Sequence, residues 1–417
     1  MGNFLVRPTN RLYGEVKTQS AKNALLPLIS ACALIEAPVT IKNAPPMGDV
    51  KVMLDIIAAL GGKFSYDGDD LTVDCRLLYK NELPEELSGK IRSSVFLLGP
   101  LIARFRKVTL VKSGGCNIGK RPIDIHIDGL KKLGVEVMET EVLYLRADKL
   151  VGAEITLRFP SVGATENLIA AAVTASGTTV IKNAAREPEV ECLCNFLNAA
   201  GGKISGGGKR EIVIEGVKSL TKNPFVFTPV GDRIEAGTFI LAAMIAGGEI
   251  VVTNCTPDFN IALIEKIRNN ACKIDVFNDR IYIKSEGRGK ALGEIVAAPY
   301  PSFATDLQTP ALAYCSTLDG VTVVRDEVFK SRFSQTSELI KAGARIKIVG
   351  NAAIVCGVKK LIGAKVKAFD LRGGAALVLA GLNAEGETVI ENAEVIDRGY
   401  YKFDEKLRSL GANVIRF

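Results

Sequence analysis

The chain has 417 residues, a net charge of +7 and 24% charged residues. Its length exceeds what a single hydrophobic core usually serves, so we expect two domains of about 200 residues each. Because no run of 18 apolar residues occurs and no basic tail or Lys/Arg block is present, composition argues against a membrane span and against a nucleic-acid partner. The modest positive charge suits small anionic substrates better.

The N-terminal stretch from Met1 to Arg7 lacks the apolar core and cleavage site of a secretion signal. The nine cysteines are scattered without a Cys-x-x-Cys pair, and the chain has one histidine. These counts do not make a convincing zinc set. We therefore expect a cytoplasmic protein with reduced thiols, no metal and no cofactor.

The strongest organising signal along the chain is an internal repeat. Each copy begins with a β-branched run, which is followed by a helical pattern, a small-residue turn and a second strand. In four copies the β-branched run ends in an Asn-Ala or Asn-Cys pair. The six copies begin near Val39, Val108, Val180, Val251, Val321 and Val389. A spacing of about seventy residues is too long for a solenoid, so we expect an α/β fold with three modules in each domain.

Several helices show start signals in their polar residues. Ser20 is a candidate N-cap for an apolar helix with Lys22 and Asn23 in its first turn, where backbone N–H groups favour an anion. Four Ala- or Gly-rich helices open after polar loops, at residues 161–167, 231–238, 302–308 and 369–374. We expect the N-termini of these buried helices to point to a shared face.

The segment from Lys112 to His126 carries the clearest chemical signal. It lies between a β-branched run and a helical pattern, and it places Cys116 among three glycines and the cations Lys112, Lys120 and Arg121. A lone cysteine is often only a small buried side chain, but a loop-borne thiol near cations is favoured as thiolate. The spacing of a Walker A loop is absent. We expect an anion site that contains a reactive thiol.

A set of arginines supports the same hypothesis. Each lies near a loop or a helix start, and each alone is most simply a surface ion pair. The set is Arg92, Arg121, Arg332, Arg372 and Arg398. Guanidinium groups bind carboxylate and phosphate bidentately, so together with Lys22 and Cys116 they predict a ligand that carries both groups.

Eight short motifs, taken together and in order, resemble the UDP-N-acetylglucosamine 1-carboxyvinyltransferase family of enolpyruvyl transferases. They are Lys22-Asn23, the cysteine segment 114–126, and residues 161–165, 183–189, 232–235, 305–306, 370–372 and 397–399. The resemblance implies an inside-out α/β barrel of the EPSP-synthase type, with helices within and sheets outside. It also implies two domains, residues 21–229 and residues 1–20 with 230–417.

The resemblance implies transfer of the enolpyruvyl group of phosphoenolpyruvate to the 3′-hydroxyl of UDP-N-acetylglucosamine, with release of phosphate. This reaction is the first committed step of peptidoglycan precursor synthesis. By resemblance, Cys116 donates a proton to the methylene carbon and can form an adduct, and Asp306 is the base near the hydroxyl. An ordinary thiol has a pKa of about 8.5, which nearby cations would lower towards neutrality. The same thiol would be alkylated by fosfomycin.

The resemblance also implies which residues bind each part of the substrates. Lys22, Arg121 and Arg398 would bind the phosphate of phosphoenolpyruvate, and Arg332 and Arg372 its carboxylate. The sugar-nucleotide contacts would be Asn23, Asp306, Arg92, Arg121, Pro122, Ile123, Asp124, Ile125, Ser161, Val162, Gly163 and Val328. Many relatives carry a basic residue where this chain has Phe159 and Pro160, and the sequence leaves open whether Arg158 replaces that diphosphate contact.

Two other functions are compatible with parts of this pattern. The same fold serves 5-enolpyruvylshikimate-3-phosphate synthase, which has similar cations but lacks the Gly-Gly-Cys loop, so Cys116 argues against it. Six α/β repeats can also form a clamp around nucleic acid. A clamp should show a Lys/Arg face and has no need of a thiol among glycines, so the charge pattern disfavours it.

Overall fold

The computed structural model describes residues 2–111, 123–329 and 332–417. They form two compact units, one made of the described residues between 20 and 230 and the other of residues 2–19 with the described residues from 231 to 417. The longest helix in these ranges has 14 residues, and a bilayer requires about 20. None of the helices described is long and apolar enough to cross a membrane.

Helices account for a large part of both units, and most of them are short. The α-helices are α1 Lys22–Ala31, α2 Gly48–Ala59, α3 Glu85–Ser88, α4 Leu98–Phe105, α5 Asp124–Lys132, α6 Val162–Ala172, α7 Pro188–Ala199, α8 Arg233–Ala246, α9 Ile261–Ile267, α10 Thr305–Cys315, α11 Thr336–Lys341, α12 Leu371–Leu382 and α13 Phe403–Ser409. Within the described ranges, four 3₁₀ helices span Cys32–Leu34, Arg92–Leu97, Pro257–Asn260 and Ala393–Arg398.

The strands are also short and are distributed along the whole chain. They are β1 Phe4–Val6, β2 Leu12–Lys17, β3 Pro38–Ile41, β4 Lys63–Asp67, β5 Asp70–Asp74, β6 Lys107–Val111, β7 Glu136–Glu139, β8 Val142–Arg146, β9 Glu154–Thr156, β10 Thr178–Lys182, β11 Lys203–Ser205, β12 Glu211–Glu215, β13 Phe225–Phe227, β14 Gly248–Thr253, β15 Cys272–Val276, β16 Arg280–Ser285, β17 Glu294–Ala297, β18 Val321–Asp326, β19 Arg345–Val349, β20 Ala352–Cys356, β21 Leu361–Ile362, β22 Lys365–Lys367, β23 Ala384–Glu385, β24 Thr388–Glu391 and β25 Val414–Arg416.

The six predicted repeats are confirmed by the sheet topology. Each repeat strand, namely β3, β6, β10, β14, β18 or β24, lies in a different sheet and pairs antiparallel with one neighbour. That neighbour also pairs antiparallel with the second strand that was predicted after the small-residue turn. The orders are β13-β3-β5-β4, β6-β8-β7 and β11-β12-β10-β9 in residues 20–230, and β15-β16-β14-β2, β17-β18-β20-β19 and β22-β24-β1-β25 in the other unit.

The N-terminal segment supplies two strands to sheets formed by distant parts of the chain. Strand β1 lies between β24 and β25, with Leu5 opposite Val389 on one side and Ile415 on the other. Strand β2 runs parallel to β14. Residues 2–19 therefore complete two sheets of the unit that contains residues 231–417.

Backbone conformation explains the asparagine that recurs in the repeat phrase. Asn43, Asn183, Asn254 and Asn392 all have φ between 50° and 59° and lie one or two residues after their strands. Asparagine tolerates this left-handed conformation better than most residues, because its short amide can bond to the local backbone. The repeat phrase thus encodes both a strand and the corner that ends it.

Helices fill the interior of each unit and the sheets cover them, which is the inside-out arrangement that the family resemblance implied. Every residue of α8 and α12 is buried, and α10 is buried from Leu307 to Cys315; these three helices pack against one another. A Cβ on Gly237 of α8 would lie 2.6 Å from Leu307 of α10, so small residues permit this close approach. Helices α1, α4 and α6 form the corresponding interior of residues 20–230.

The predicted helix cap at Ser20 is wrong. Helix α1 begins at Lys22 as expected, but its N-cap position is Ala21 and no side chain caps it. The hydroxyl of Ser20 instead donates to the carbonyl of Lys42, at 3.2 Å. The hydroxyl of Ser20 therefore bonds to the corner that follows β3 and does not cap α1.

Candidate functional site

The candidate site residues fall into two groups, one in each unit. Residues 20–230 contribute Lys22, Asn23, Arg92 and the starts of α5 and α6, and the other unit contributes Asp306, Val328, Arg332, Arg372 and Arg398. Cys116, Arg121 and Pro122 lie outside the residues that the structure describes. The expected loop from residue 112 to 126 ends earlier than its sequence suggested, because Asp124 already begins α5.

Lys22 and Asn23 occupy the first turn of α1, as predicted. A lysine at that position opposes the helix macrodipole unless an anion is near. The ammonium nitrogen of Lys22 lies 3.2 Å from a carboxylate oxygen of Asp49, and the two side chains are 11% and 6% exposed. Asp49 itself is in the first turn of α2, where a negative charge is favourable.

The first turn of α6 contains three of the predicted sugar-nucleotide residues. Ser161 is the N-cap, and its hydroxyl oxygen accepts the N–H of Ala164. Ser161, Val162 and Gly163 are half-buried, whereas the following residues of the helix are buried. A helix start of this kind directs backbone N–H groups and a positive partial charge towards an anion.

The imidazole of His126 lies against this first turn. A Cβ on Gly163 would approach Cε1 of His126 to 3.2 Å and Nε2 to 3.4 Å. Burial, followed by the positive charge of Arg92, lowers the pKa of His126 to about 4, and Asp124 opposes the shift. His126 is therefore a neutral side chain near pH 7, which sequence reasoning did not assign.

The start of α5 is tied to Arg158. Asp124 and Asp128 both accept hydrogen bonds from its guanidinium, and the bond to Asp128 is 3.0 Å long. All three side chains are substantially exposed. Ile123 is the N-cap residue of α5 and Ile125 is half-buried in its first turn. Arg158, the possible replacement for the missing basic residue, is thus paired with two carboxylates.

Replacing His126 should change how stability depends on pH. An unfolded histidine titrates near pH 6.5, whereas the folded one stays neutral down to about pH 4. The unfolded state therefore binds more protons in this window, so the free energy of unfolding should fall by roughly 3 kcal/mol as the pH is lowered from above 6.5 to about 4. Urea unfolding of wild type and His126→Gln at pH 7 and pH 4.5 measures the difference. Parallel pH profiles for the two proteins would contradict the assignment.

In the other unit, one carboxylate bridges two buried guanidinium groups. Asp306 lies in the first turn of α10. One of its oxygens is 2.7 Å from Nη2 of Arg332, and the other is 3.0 Å from Nη2 of Arg372. Arg332 and Arg372 are 6% and 1% exposed. Two such cations can bind a second anion, because each guanidinium carries five donors.

Arg372 is the most deeply buried of these cations. It follows Asp370, the N-cap of α12, whose carboxylate accepts the N–H groups of Arg372 and Gly373. Burial alone lowers the pKa of Arg372, but Tyr400, Asp306 and Asp232 together raise it above its usual value. Within the described residues, Nη1 of Arg372 has no hydrogen-bond partner. A buried donor without a partner is costly, so this atom is poised to receive a ligand oxygen.

These contacts bring together the first turns of three helices. Arg372 of α12 donates a hydrogen bond to Asp306 of α10. The negative charge of Asp232, the N-cap of α8, helps to raise the pKa of Arg372. The expectation that these helix starts share a face is confirmed within this unit. The arrangement follows from the threefold repetition of one module, since each repeat places its helix start at the same end.

A hydrogen-bonded relay fixes the orientation of Arg332. The hydroxyl of Thr305 donates to Asp326 at 2.6 Å and accepts a bond from Nη1 of Arg332 at 3.1 Å. The other oxygen of Asp326 accepts the N–H groups of Val328 and Phe329, both at 2.8 Å. The buried Asp326 thus positions both the arginine and the backbone of Val328.

The segment that carries Arg398 is held by the N-terminal part of the chain. Arg398 ends the 3₁₀ helix Ala393–Arg398 and is half-buried. The amide of Gln19 donates to the carbonyl of Gly399 at 2.8 Å and accepts the N–H of Tyr401 at 3.0 Å. Gln19 therefore fixes the backbone on the C-terminal side of this arginine.

Sequence reasoning missed Asp49, Asp326, Gln19 and Asn167 as site-supporting residues. Asp326 ends a strand and Asp49 opens a helix, and both positions are recognisable signals in a sequence. Gln19 and Asn167 act through contacts with residues far along the chain, so no local pattern marks them. Among the residues described, no group of three or more His, Cys, Asp or Glu is placed to hold a metal ion.

Comparison with known proteins gives a consistent result. The family model described as EPSP synthase (3-phosphoshikimate 1-carboxyvinyltransferase) matches residues 6–407. A protein of Caldanaerobacter subterraneus subsp. tengcongensis named UDP-N-acetylglucosamine 1-carboxyvinyltransferase 2 is 47% identical, and the match covers 100% of both chains. The UDP-N-acetylglucosamine 1-carboxyvinyltransferase of Enterobacter cloacae is 42% identical, covering 100% of this chain and 99% of its own.

Solved structures give the same fold. The enolpyruvyl transferase NikO from Streptomyces tendae superposes with a TM-score of 0.88 at 26% identity, over 100% of this chain and 98% of NikO. EPSP synthase from Acinetobacter baumannii has a TM-score of 0.75 at 16% identity, over 100% of each chain, which supports the fold alone. By its full-length relatives and its two-unit α/β fold, the chain belongs to the EPSP synthase family and, within it, to the UDP-N-acetylglucosamine 1-carboxyvinyltransferases.

Proposed function

We propose that the protein transfers the enolpyruvyl group of phosphoenolpyruvate to the 3′-hydroxyl of UDP-N-acetylglucosamine and releases phosphate. This is the first committed step of peptidoglycan precursor synthesis, and the names of the full-length relatives support it. The proposal includes a cytoplasmic location and two domains, residues 21–229 and residues 1–20 with 230–417. Small molecules are its substrates, without nucleic acid or membrane as partners.

The observation that carries the proposal is the pair of buried arginines bridged by Asp306. The substrate phosphoenolpyruvate presents a carboxylate next to its reacting carbon, and Arg332 and Arg372 provide a matching pair of bidentate donors. Their burial strengthens the interaction, because water cannot compete effectively for a desolvated anion. A carboxylate that enters here can bind the arginines beside Asp306, since Nη1 of Arg372 has no hydrogen-bond partner within the described residues.

The addition step requires two proton transfers, and the proposed residues supply both. The sugar hydroxyl oxygen adds to C2 of phosphoenolpyruvate, while its proton passes to Asp306 and C3 receives a proton from the Cys116 thiol. In the elimination step the new methyl group of the tetrahedral ketal returns a proton to the Cys116 thiolate, which restores the vinyl double bond, and the phosphate leaves with the proton that Asp306 had taken. Such acid–base assistance typically contributes about 10²–10⁴-fold in rate.

The remaining cations and helix starts would bind the rest of the substrates. Lys22, Arg121 and Arg398 are assigned to the phosphate of phosphoenolpyruvate. Asn23 and Asp306 are assigned to the sugar, and the nucleotide side is assigned to Arg92, Arg121, Pro122, Ile123, Asp124 and Ile125. The rest of the sugar nucleotide is assigned to Ser161, Val162, Gly163 and Val328. The half-buried first turn of α6 supports the last group, since helix starts favour phosphate.

The acceptor decides between this reaction and that of the sister enzyme. Purified protein is incubated with phosphoenolpyruvate alone, with UDP-N-acetylglucosamine added, or with shikimate 3-phosphate added, and released phosphate is measured. We expect release only with the UDP-sugar, together with a product heavier by one enolpyruvyl group in mass spectrometry. Release with shikimate 3-phosphate instead would assign the protein to the EPSP synthases, and no release with either acceptor would reject the transferase proposal.

A further inference from the structure

The side-chain amide of Asn167, in the middle of α6, has an orientation fixed by the backbone. Its Oδ1 accepts the N–H of Gly99 at 2.7 Å, and its Nδ2 donates to the carbonyl of Val95 at 2.8 Å. A backbone N–H can only donate and a carbonyl can only accept, so exchanging the two amide atoms would break both bonds. Asn167 is 1% exposed, so water cannot replace them.

This orientation determines the protonation of His126. Nδ2 of Asn167 lies 2.8 Å from Nδ1 of His126. Because Nδ2 is a donor, Nδ1 must be an acceptor and carry no proton. A neutral imidazole then has its proton on Nε2. In an imidazolium, the N–H of Nδ1 would face the N–H of Asn167 Nδ2, and neither could accept a hydrogen bond from the other. The lowered pKa of His126, about 4, agrees with this reading.

The protonated Nε2 lies beside the start of α6. His126 is 8% exposed, and its Nε2 is the ring nitrogen that a Cβ on Gly163 would approach to 3.4 Å. In the parts of the chain that the structure describes, the only hydrogen bond of the imidazole is the one to Asn167. Among the described residues, Nε2 therefore has no hydrogen-bond partner and lies beside the N-terminus of an 11-residue helix, where a donor and the helix start both attract an anion.

The charges around this position leave room for a neutral donor. Residues 159 and 160 are Phe and Pro, and Arg158 is paired with Asp124 and Asp128. Arg92 adds a positive charge close enough to affect His126. A neutral Nε2–H contributes a directed hydrogen bond to an oxyanion and does not need a counter-ion of its own.

We propose that Asn167 is a positioning residue that holds His126 as the Nε2–H tautomer, so that His126 donates a hydrogen bond to a phosphate oxygen of the nucleoside diphosphate sugar at the start of α6. The inference rests on the proposed function for the identity of the ligand. The tautomer itself follows from the hydrogen bonds alone. His126 would contribute to nucleotide binding and not to the chemical step.

The single histidine makes the proposal directly measurable. In protein produced without a histidine tag and labelled with ¹⁵N-histidine, the spectrum contains one imidazole. At pH 7 we expect an unprotonated Nδ1 and a protonated Nε2. Adding UDP should shift the Nε2 resonance and leave the tautomer unchanged. A protonated Nδ1, an imidazolium at pH 7, or an Nε2 resonance indifferent to UDP would overturn the proposal.

Two variants separate positioning from simple structural support. In Asn167→Asp a carboxylate oxygen faces Nδ1 and accepts a hydrogen bond from it, so the proton of the neutral imidazole should move from Nε2 to Nδ1. The KM for UDP-N-acetylglucosamine should rise about 10- to 100-fold, the range expected for losing a hydrogen bond to a charged group, while the KM for phosphoenolpyruvate changes less than about threefold. His126→Leu should raise the same KM, and His126→Gln, which keeps an amide donor, should recover part of the loss.

The matched control is Asn198→Asp. The side-chain amide of Asn198 also makes two hydrogen bonds to the backbone, both to Ile204 and both 2.8 Å long. Its Nδ2 donates to the carbonyl of Ile204, and its Oδ1 accepts the N–H of Ile204. This variant should lose comparable stability without a change in either KM or in the histidine spectrum. An equal rise of both KM values in Asn167→Asp would indicate a structural role only and reject positioning. If wild type released no phosphate with the UDP-sugar, the transferase proposal would fail, whereas the UDP titration would still decide the role of His126.

Discussion

Asp306→Asn is expected to lower kcat by about 10³- to 10⁴-fold, at the upper end of the range for losing an acid–base group. The amide keeps the size of the side chain but cannot take the hydroxyl proton. It also removes the negative charge between Arg332 and Arg372, which lie 2.7 Å and 3.0 Å from the carboxylate. The measurement is phosphate release under saturating substrates.

Stability and activity have to be separated in this variant. Removing one partner of a buried ion pair costs about 3–5 kcal/mol, because a desolvated charge is left without compensation. A lowered unfolding temperature is therefore expected, and addition of phosphoenolpyruvate should partly restore it by returning a carboxylate to the arginines. Asp319→Asn is the control, since that carboxylate is 76% exposed and pairs with Arg288. A folded Asp306→Asn protein with near wild-type kcat would eliminate Asp306 as the base.

The second large effect is expected for Cys116→Ala. By the proposed chemistry it removes the group that protonates the methylene carbon, so phosphate release should fall by about 10²- to 10⁴-fold. Binding of UDP-N-acetylglucosamine should be unaffected, because the thiol serves phosphoenolpyruvate. Phosphate release that survives the substitution would keep the transferase and remove Cys116 as the essential acid.

The other cysteines provide a control for the reactivity of this thiol. Six of the eight that the structure describes are buried, Cys272 is half-buried and Cys356 is exposed. Burial raises the pKa of Cys75, Cys192 and Cys315 to about 12, which makes them poor nucleophiles. Mass spectrometry after treatment with fosfomycin should show one adduct in wild type and in Cys356→Ala, and none in Cys116→Ala. An adduct that persists without Cys116 would place the reactive thiol elsewhere.

The modules were predictable because their signals are local. The asparagine corner and the small-residue turn depend on φ at single residues: Asn43 and Gly61, for example, have φ of 50° and 104°. Even the fourth module, where Ala271 replaces the glycine, adopts the left-handed conformation with φ of 55°. The sequence repeat and the turn residues are therefore sufficient to predict six strand–helix–strand units.

The contacts inside the site were not predictable, because they join different modules. Asp306 and Arg372 lie 66 residues apart, and only the packing of α10 against α12 brings them together. Asn167 and Gly99 are 68 residues apart, and nothing near Asn167 distinguishes it from other polar residues in an Ala-rich helix. The predicted Ser20 cap is wrong for the same kind of reason, since the hydroxyl of Ser20 bonds to the carbonyl of Lys42, in the corner that follows β3. Local sequence patterns predict the helices and strands, whereas tertiary packing determines which side chains contact one another.

The place of β1 in its sheet determines the order in which the two units can be completed during synthesis. Strand β1 lies between β24 and β25, so the hydrogen bonds of Phe4 to Val6 require residues as late as Arg416. All described strands of the three sheets in residues 20–230 come from that contiguous stretch. The nascent chain can therefore complete the sheets of residues 20–230 before β24 and β25, the partner strands of β1, have been synthesised. Such long-range pairing is entropically slow to form, and it makes the unit that carries Asp306 the later of the two to mature.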